Sequence, residues 1–210
     1  MIKDTNNNVL VTASSHGLGY AIAKKFSDNN HGVILHGRDL KKIEKARKSI
    51  NNIIDIVQGD LREEGTIELI EKCVKKHSIS ILVNNAAIPC YGLNLTDMSR
   101  AQIDESISVN LISPLLLTHR LYPFLIKAEN GGIININSIV GLEPKKFRSI
   151  HSATKWALRG FSKSLRLEAA EDDIKVINVY PSRIRTVEEY TYGLDPERVA
   201  ALIYENFYDL

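Results

Sequence analysis

The chain carries an imidazole and an ammonium group four residues apart, in the segment His151-Ser152-Ala153-Thr154-Lys155. On a helix this spacing puts both side chains on one face, so both can act on one bound molecule. The ammonium disfavours a second positive charge beside it and pushes the imidazole below its ordinary value of about 6.5, so neutral His151 dominates near pH 7. Neutral imidazole accepts a proton, as oxidation of an alcohol requires, or donates a hydrogen bond to a carbonyl. It is a poor full proton donor for a reduction.

A second signature lies near the amino terminus, in Thr12-Ala13-Ser14-Ser15-His16-Gly17-Leu18-Gly19 followed by the helical run Tyr20-Ala21-Ile22-Ala23-Lys24-Lys25. Glycines in such a turn let the backbone approach a pyrophosphate, while the helix N-terminus offers free N–H groups and the positive end of a dipole. Taken alone, the turn also reads as an ordinary tight connection. About twenty residues further on, a dinucleotide site places an acid for the ribose 2′-hydroxyl or a base for a 2′-phosphate. The second strand here ends His36-Gly37-Arg38 with no carboxylate. Arg38 with His16 can hold a phosphate by charge-assisted hydrogen bonds, the other reading being a solvated residue at a helix start. NADP(H) is therefore preferred and NAD(H) is the second choice.

Short apolar runs alternate with segments of helical period along the chain, the pattern of βαβ units feeding a parallel sheet. Strands are expected at Asn8 to Ala13, Gly32 to Gly37, Ile53 to Gln58, Ile79 to Asn84, Gly132 to Asn137 and Lys175 to Tyr180, all rich in Ile, Val and Leu as strands covered on both faces are. The two longest helices are expected from about Gln102 to Lys127 and from about Ile150 to Glu171, the latter with Ile150, Ala157, Phe161 and Leu165 near one apolar face. The fold class is α/β, a Rossmann-like doubly wound parallel sheet of six strands, seven at most, with helices on both faces in one domain over residues 1–210. The longer loops, Pro89 to Arg100 and Gly141 to Ser149, follow strands four and five, where ligands of open α/β sheets bind.

A composition of 44% hydrophobic and 25% charged residues with a formal net charge of +2 gives no excess of basic residues for nucleic acid. Met1 to Asn8 is polar and runs into a strand, so neither a signal peptide nor a membrane span is expected, and the cytoplasm is the default location. Cys73 and Cys90 read as structural thiols without His or Cys neighbours at ligand spacing, so no metal site is expected.

The series of segments resembles the short-chain dehydrogenase/reductase family, and in particular its 3-oxoacyl-ACP-reductase-like members, over nearly the whole chain. The turn is similar to the family's Thr-Gly-x-x-x-Gly-x-Gly, with Ala13 at the first glycine. The resemblance implies cofactor contacts from Thr12, Ser14, Ser15, His16, Gly17, Leu18, Gly19 and Arg38, and adenine contacts from Asp60 and Leu61. It also implies cofactor contacts from Asn85 and Ala86 within Asn84-Asn85-Ala86-Ala87, where Ala87 replaces glycine. Asn110 matches the asparagine that helps organise a proton relay through water, a bland buried asparagine being the alternative. Ser138 matches the serine that hydrogen-bonds the substrate oxygen. The family's Tyr-x-x-x-Lys is here His151 to Lys155, so the proton-carrying tyrosine is replaced by histidine. Lys155 is implied to hold the nicotinamide ribose. Pro181, Ile184 and Thr186 are implied to close over nicotinamide, with Ser182 in a glycine position.

Two functions follow. One is an NADP(H)-dependent oxidoreductase interconverting a hydroxyl and a carbonyl group; the other is a catalytically weak NADP(H)-binding homologue acting as a sensor or partner subunit. Lys145, Lys146, Arg148, Arg183 and Arg185 bind an anionic substrate if they point inward, and otherwise form a solvated basic surface. Tyr190 and Tyr192 lie where the family inserts substrate-covering helices, and so short a segment implies an open pocket. The chain ends soon after a helix beginning near Pro196, which leaves no room for a seventh strand. Analogy with the family implies a homodimer through the two long helices.

Overall fold

Six runs of Val, Ile and Leu pair into one parallel sheet: β1 (Asn8–Val11), β2 (Val33–Gly37), β3 (Ile53–Gln58), β4 (Ile79–Asn84), β5 (Gly132–Ile136) and β6 (Lys175–Val179). The structure is a computed structural model, and it describes residues 7–90, 92–185 and 192–209. Strand order is β3-β2-β1-β4-β5-β6. Winding therefore reverses between β1 and β4, and the crevice above that switch point is where a ligand of such a sheet sits. The expected strands are all present. Several end a residue or two sooner, because the residues beyond Val11 and Ile136 leave the ladder to build turns.

Helices cover both faces because every strand is apolar on both. Alternate residues divide into two cores. Val9, Val11, Ile81, Val83 and Ile134 pack against α1 (Gly17–Asp28) and α7 (Pro196–Asp209). On the other face Leu10, Ile34, Leu82, Ile133 and Val176 pack against α3 (Glu64–His77), α5 (Ser113–Leu125) and α6 (Ser149–Ala169). Each fully buried side chain of this size contributes roughly 1.5–3 kcal/mol. Phe207 shows how tight the fit is, for a Cβ added at Gly132 would lie 2.3 Å from its ring. The remaining helix of the first half, α2 (Leu40–Arg47), is capped by Asp39, which accepts from the Lys42 N–H at 3.2 Å. No helix among the described residues is long and apolar enough to cross a membrane.

Two expectations are corrected. The long helix runs unbroken from Arg100 to Leu125, as expected, but is not α throughout: α4 (Arg100–Ile107) passes through a π turn at Ser108–Ile112 into α5. There the Ser113 N–H reaches back five residues to the Ser108 carbonyl. Pro114 has no N–H to return to the preceding turn, so an ordinary α turn cannot be completed there. In α6 the buried stripe is His151, Lys155, Leu158, Ser162, Leu165 and Ala169, while Ala157 is exposed. The helix is rotated so that its polar first turns, and not an apolar set, face the sheet's carboxyl edge.

Candidate active site

The turn after β1 is held from beneath by side chains of its own sequence. Thr12 Oγ1 accepts from the N–H groups of Asn85 and Ala86, each at 2.9 Å, and donates to the Val83 carbonyl at 3.2 Å. Asn85 Nδ2 returns the contact to the carbonyls of Thr12 (2.9 Å) and Ala13 (3.2 Å). Ser14 Oγ accepts from His36 N–H at 3.0 Å and donates to the His36 carbonyl at 3.3 Å. Thr12 and Ser14 are 1% and 0% exposed, so their oxygens fasten β1 to β4 and β2. Both were expected as cofactor contacts; the structure shows their hydroxyls holding the turn. His36, which sequence reasoning gave no role, accepts from the Ala13 N–H at Nδ1 (3.1 Å), and burial holds its pKa down to about 4.

Glycine is obligatory at only part of this turn. A Cβ at Gly19 would meet the Ala13 carbonyl oxygen at 2.3 Å and Asn85 Nδ2 at 2.4 Å. Gly17 has φ +59, and Ala13 takes φ +51, a left-handed conformation its methyl group strains. Of the three residues that replace a family glycine, only Ala13 sits in that region; Ala87 and Ser182 do not.

Above the turn are two adjoining clefts. The one toward β2, about 410 Å³, brings together Ser15, His16, Arg38, Asp60, Leu61 and Ala86 as the resemblance implied. Lys42 also lines it, one turn into α2, a position sequence spacing did not single out. Asp60 is gripped by Arg62, whose Nε and Nη2 donate to its two oxygens at 3.0 and 2.7 Å. That grip holds the carboxyl below the usual carboxylate range. Arg38 is 62% exposed with only a long 3.8 Å approach to Asp60, so its guanidinium can turn toward an incoming anion.

The second cleft, about 850 Å³, sets Gly17, Leu18, Gly19 and Asn85 on one side against Ser138, His151 and Lys155 on the other, with Pro181 and Ile184 at its rim. Lys155 is 3% exposed, and its Nζ donates to the Ile136 carbonyl at 2.8 Å. Burial lowers its pKa to about 8. His151 is 8% exposed with its pKa lowered to about 4. The direction was expected, but the chief cause is burial, followed by the charges of Lys155 and Arg148. Asn137 links the serine to the helix: its Oδ1 accepts from the Ser138 N–H at 2.9 Å and its Nδ2 donates to the Lys155 carbonyl at 3.1 Å. A methyl group at Gly141 would meet Asn137 Oδ1 at 2.5 Å, so this link requires glycine there.

Asn110 is buried in the π turn. Its Oδ1 accepts from the Ile88 N–H at 2.7 Å, and its Nδ2 donates to the Ile88 carbonyl at 3.0 Å and to Ser106 Oγ at 3.2 Å. Its side chain thus fixes the loop after β4, acting on the site through that loop. Lys145, Arg148 and Arg183 line the large cleft. Lys146 instead lies over the Phe147 ring at 4.7 Å, and Arg185 approaches Asp195 at 3.9 Å. Tyr192 stacks under the Arg183 guanidinium at 4.5 Å. Thr186 and Tyr190 lie outside the described residues.

One grouping was missed altogether. Cys73 Sγ, His77 and the Asp55 carboxylate lie within 4.8 Å of one another, so Cys73 does have a ligand neighbour, contrary to the sequence reading. Cys73 and His77 share a helix face at i, i+4, but Asp55 comes from another element, and that partnership is not written in local spacing.

A glycine turn at the switch point of a 3-2-1-4-5-6 parallel sheet defines the Rossmann-like class. The sequence profile described as short chain dehydrogenase matches residues 7–192, and the chain belongs to that family. It is 32% identical over 188 residues to an uncharacterized oxidoreductase of Staphylococcus epidermidis, covering 89% of this chain and 81% of that protein. A metagenomic short-chain oxidoreductase solved in complex with NADP is 29% identical with a TM-score of 0.85, over 97% of this chain and 91% of that one. A 3-ketoacyl-(acyl-carrier-protein) reductase from Brucella melitensis, complexed with NADH, shares the fold at 23% identity and a TM-score of 0.87, over 96% and 90% of the two chains.

Proposed function

We propose that the chain is an NADP(H)-dependent oxidoreductase interconverting a hydroxyl and a carbonyl group on a small molecule. The observation that carries this reading is the single cleft in which Ser138, His151 and Lys155 face the glycine turn. The glycine turn opening α1 offers backbone N–H groups to a pyrophosphate, while Arg38 and Lys42 supply positive charge and His16 a ring nitrogen beside a 2′-phosphate. When bound, nicotinamide exchanges a hydride with the substrate carbon. Ser138 orients the substrate oxygen, and Asn110 is a positioning residue that holds the Ile88 loop.

Both directions run through the same imidazole, with Lys155 behind it. In oxidation neutral His151 accepts the hydroxyl proton, and it stays neutral from about pH 5 upward. In reduction the same imidazole returns the proton to the substrate oxygen; imidazolium is scarce above about pH 5, so Lys155, whose ammonium is lowered to about 8 and whose charge already bears on His151, restores that proton. Lys145, Arg148 and Arg183 on the cleft wall support a carboxylated or phosphorylated substrate. Exposed Ile112, Leu116, Trp156 and Leu167 support a homodimer through the α4–α5 and α6 helices.

The test is NADPH consumption with a panel of carbonyl compounds. Steady turnover that Ser138→Ala abolishes, and that falls as pH rises through about 8, is the expected result. An unturned panel with NADPH bound overturns the catalytic reading. That outcome supports the second reading, a weak NADP(H)-binding homologue, which is favoured by the poor acidity of a neutral imidazole at this position. His151→Tyr separates the two: loss of activity shows that the histidine is used, and turnover by the variant alone marks the native chain as a binder.

A further inference from the structure

We propose that Asp55, Cys73 and His77 form a binding site for one borderline-soft divalent cation of the zinc class, with the fourth tetrahedral position left to water. The donor set is one oxygen, one sulfur and one nitrogen, each a donor type that zinc accepts. Two donors lie one helical turn apart on α3 and the third reaches across from β3, so the three surround one point. His77 Nε2 stands 2.7 Å from Asp55 Oδ2, and all three ligand atoms fall within 4.8 Å of one another. Tetrahedral zinc with bonds of about 2.0–2.3 Å holds its ligands roughly 3.3–3.7 Å apart, so rotamer adjustments suffice.

In the present arrangement hydrogen bonds hold the donors together. Asp55 Oδ2 stands 2.7 Å from His77 Nε2 and accepts from Lys76 Nζ at 3.2 Å, while its Oδ1 accepts from the Ile56 N–H at 2.9 Å. Its neighbours direct protons at it, and the Cys73 thiol is buried beside them. A cation entering here takes the place of those shared protons, and the thiol proton passes to solvent. Entry is open from the side of Asp55 and His77, whose side chains are 30% and 19% exposed. Lys76 is the competing charge, at 3.2 Å from Asp55 Oδ2, but it is 69% exposed and can swing out into water. The cluster sits toward the amino end of the sheet's edge strand, away from both clefts. A bound ion therefore clamps α3 to β3 without touching the nucleotide cleft.

The second free thiol, Cys90, is removed first, and the Cys90→Ser protein is titrated with Co²⁺ and with Zn²⁺. The expected result is one ion per chain, a thiolate-to-cobalt charge-transfer band, and with zinc at a hundredfold excess over its Kd a rise in Tm of roughly 5 to 10 °C. Adding Cys73→Ser removes the band while NADPH binding is unchanged. Should that variant not fold, His77→Gln, which removes a ligand outright, weakens cobalt binding by at least about 100-fold, beyond the cost of losing an outer-shell partner, and answers the same question. A protein that shows no charge-transfer band, or one whose band survives Cys73→Ser, overturns the site.

Discussion

The two walls of the large cleft are built on opposite terms. The glycine turn is fixed by backbone packing: Gly19 is boxed in by a carbonyl oxygen and the Asn85 amide, and Thr12 and Ser14 hold the strand ends from below. The α6 wall presents side chains. Asn137 bonds the Lys155 carbonyl and the Ser138 N–H, so it depends on the backbone around His151 and on no atom of the imidazole. The difference teaches that the chemistry at residue 151 can change while its placement stays intact, whereas the turn tolerates almost no change.

Four experiments break or sharpen this contrast. The largest effect belongs to Gly19→Ala, whose methyl group has no space: a loss of roughly 3 kcal/mol in stability and at least about a hundredfold in NADPH affinity, read by denaturant melts and by fluorescence titration. Binding within threefold of the parent would show that the turn yields after all. Next comes pH. His36 and His151 fall from 6.5 to about 4 on folding, so the unfolded chain binds more protons in that window. Stability is complete above pH 6.5 and drops as pH falls toward 4, by roughly 3 kcal/mol for each histidine. His151→Gln should remove its share of the slope, and a variant with the parent's slope contradicts the assignment.

Smaller effects follow at the cofactor end. Arg38→Gln should weaken NADPH by about tenfold, or 1.4 kcal/mol, and leave NADH nearly unchanged, as measured by parallel titrations. An equal loss for both cofactors would remove Arg38 from the 2′-phosphate. Ala13→Gly relieves the strain at φ +51 but loosens the unfolded chain, so the net gain is about 0.5 kcal/mol in a thermal melt. A loss there would show that the methyl group packs usefully.

Much of this was legible in the sequence because parallel strands are apolar throughout and glycine turns punctuate them. The six strands could be placed from such patterns alone, while Ser138 and the His151–Lys155 pair were picked out by the family resemblance and share one cleft. What escaped was tertiary. Thr12 and Ser14 have the right types to touch a phosphate, and only the neighbouring strands reveal that their oxygens are already committed. Asp55 meets Cys73 and His77 across a strand–helix contact that no local spacing announces. Apolar periodicity set the face of α6 by Ala157, while the sheet edge accepts the helix's polar stripe instead. Pro114 was visible, but a helical period on both sides of it masked the π turn.

That π turn has a mechanical consequence. An extra residue inserted in a helix rotates everything beyond it by about 100°. Deleting one residue between Ser108 and Ile112 would restore a regular spiral and swing α4 out of phase with α5, carrying the Asn110 amide off the Ile88 backbone. The five-residue turn thus serves as a phase adjuster: the sequence keeps α5 seated on the sheet and still aims one amide at the mouth of the cleft.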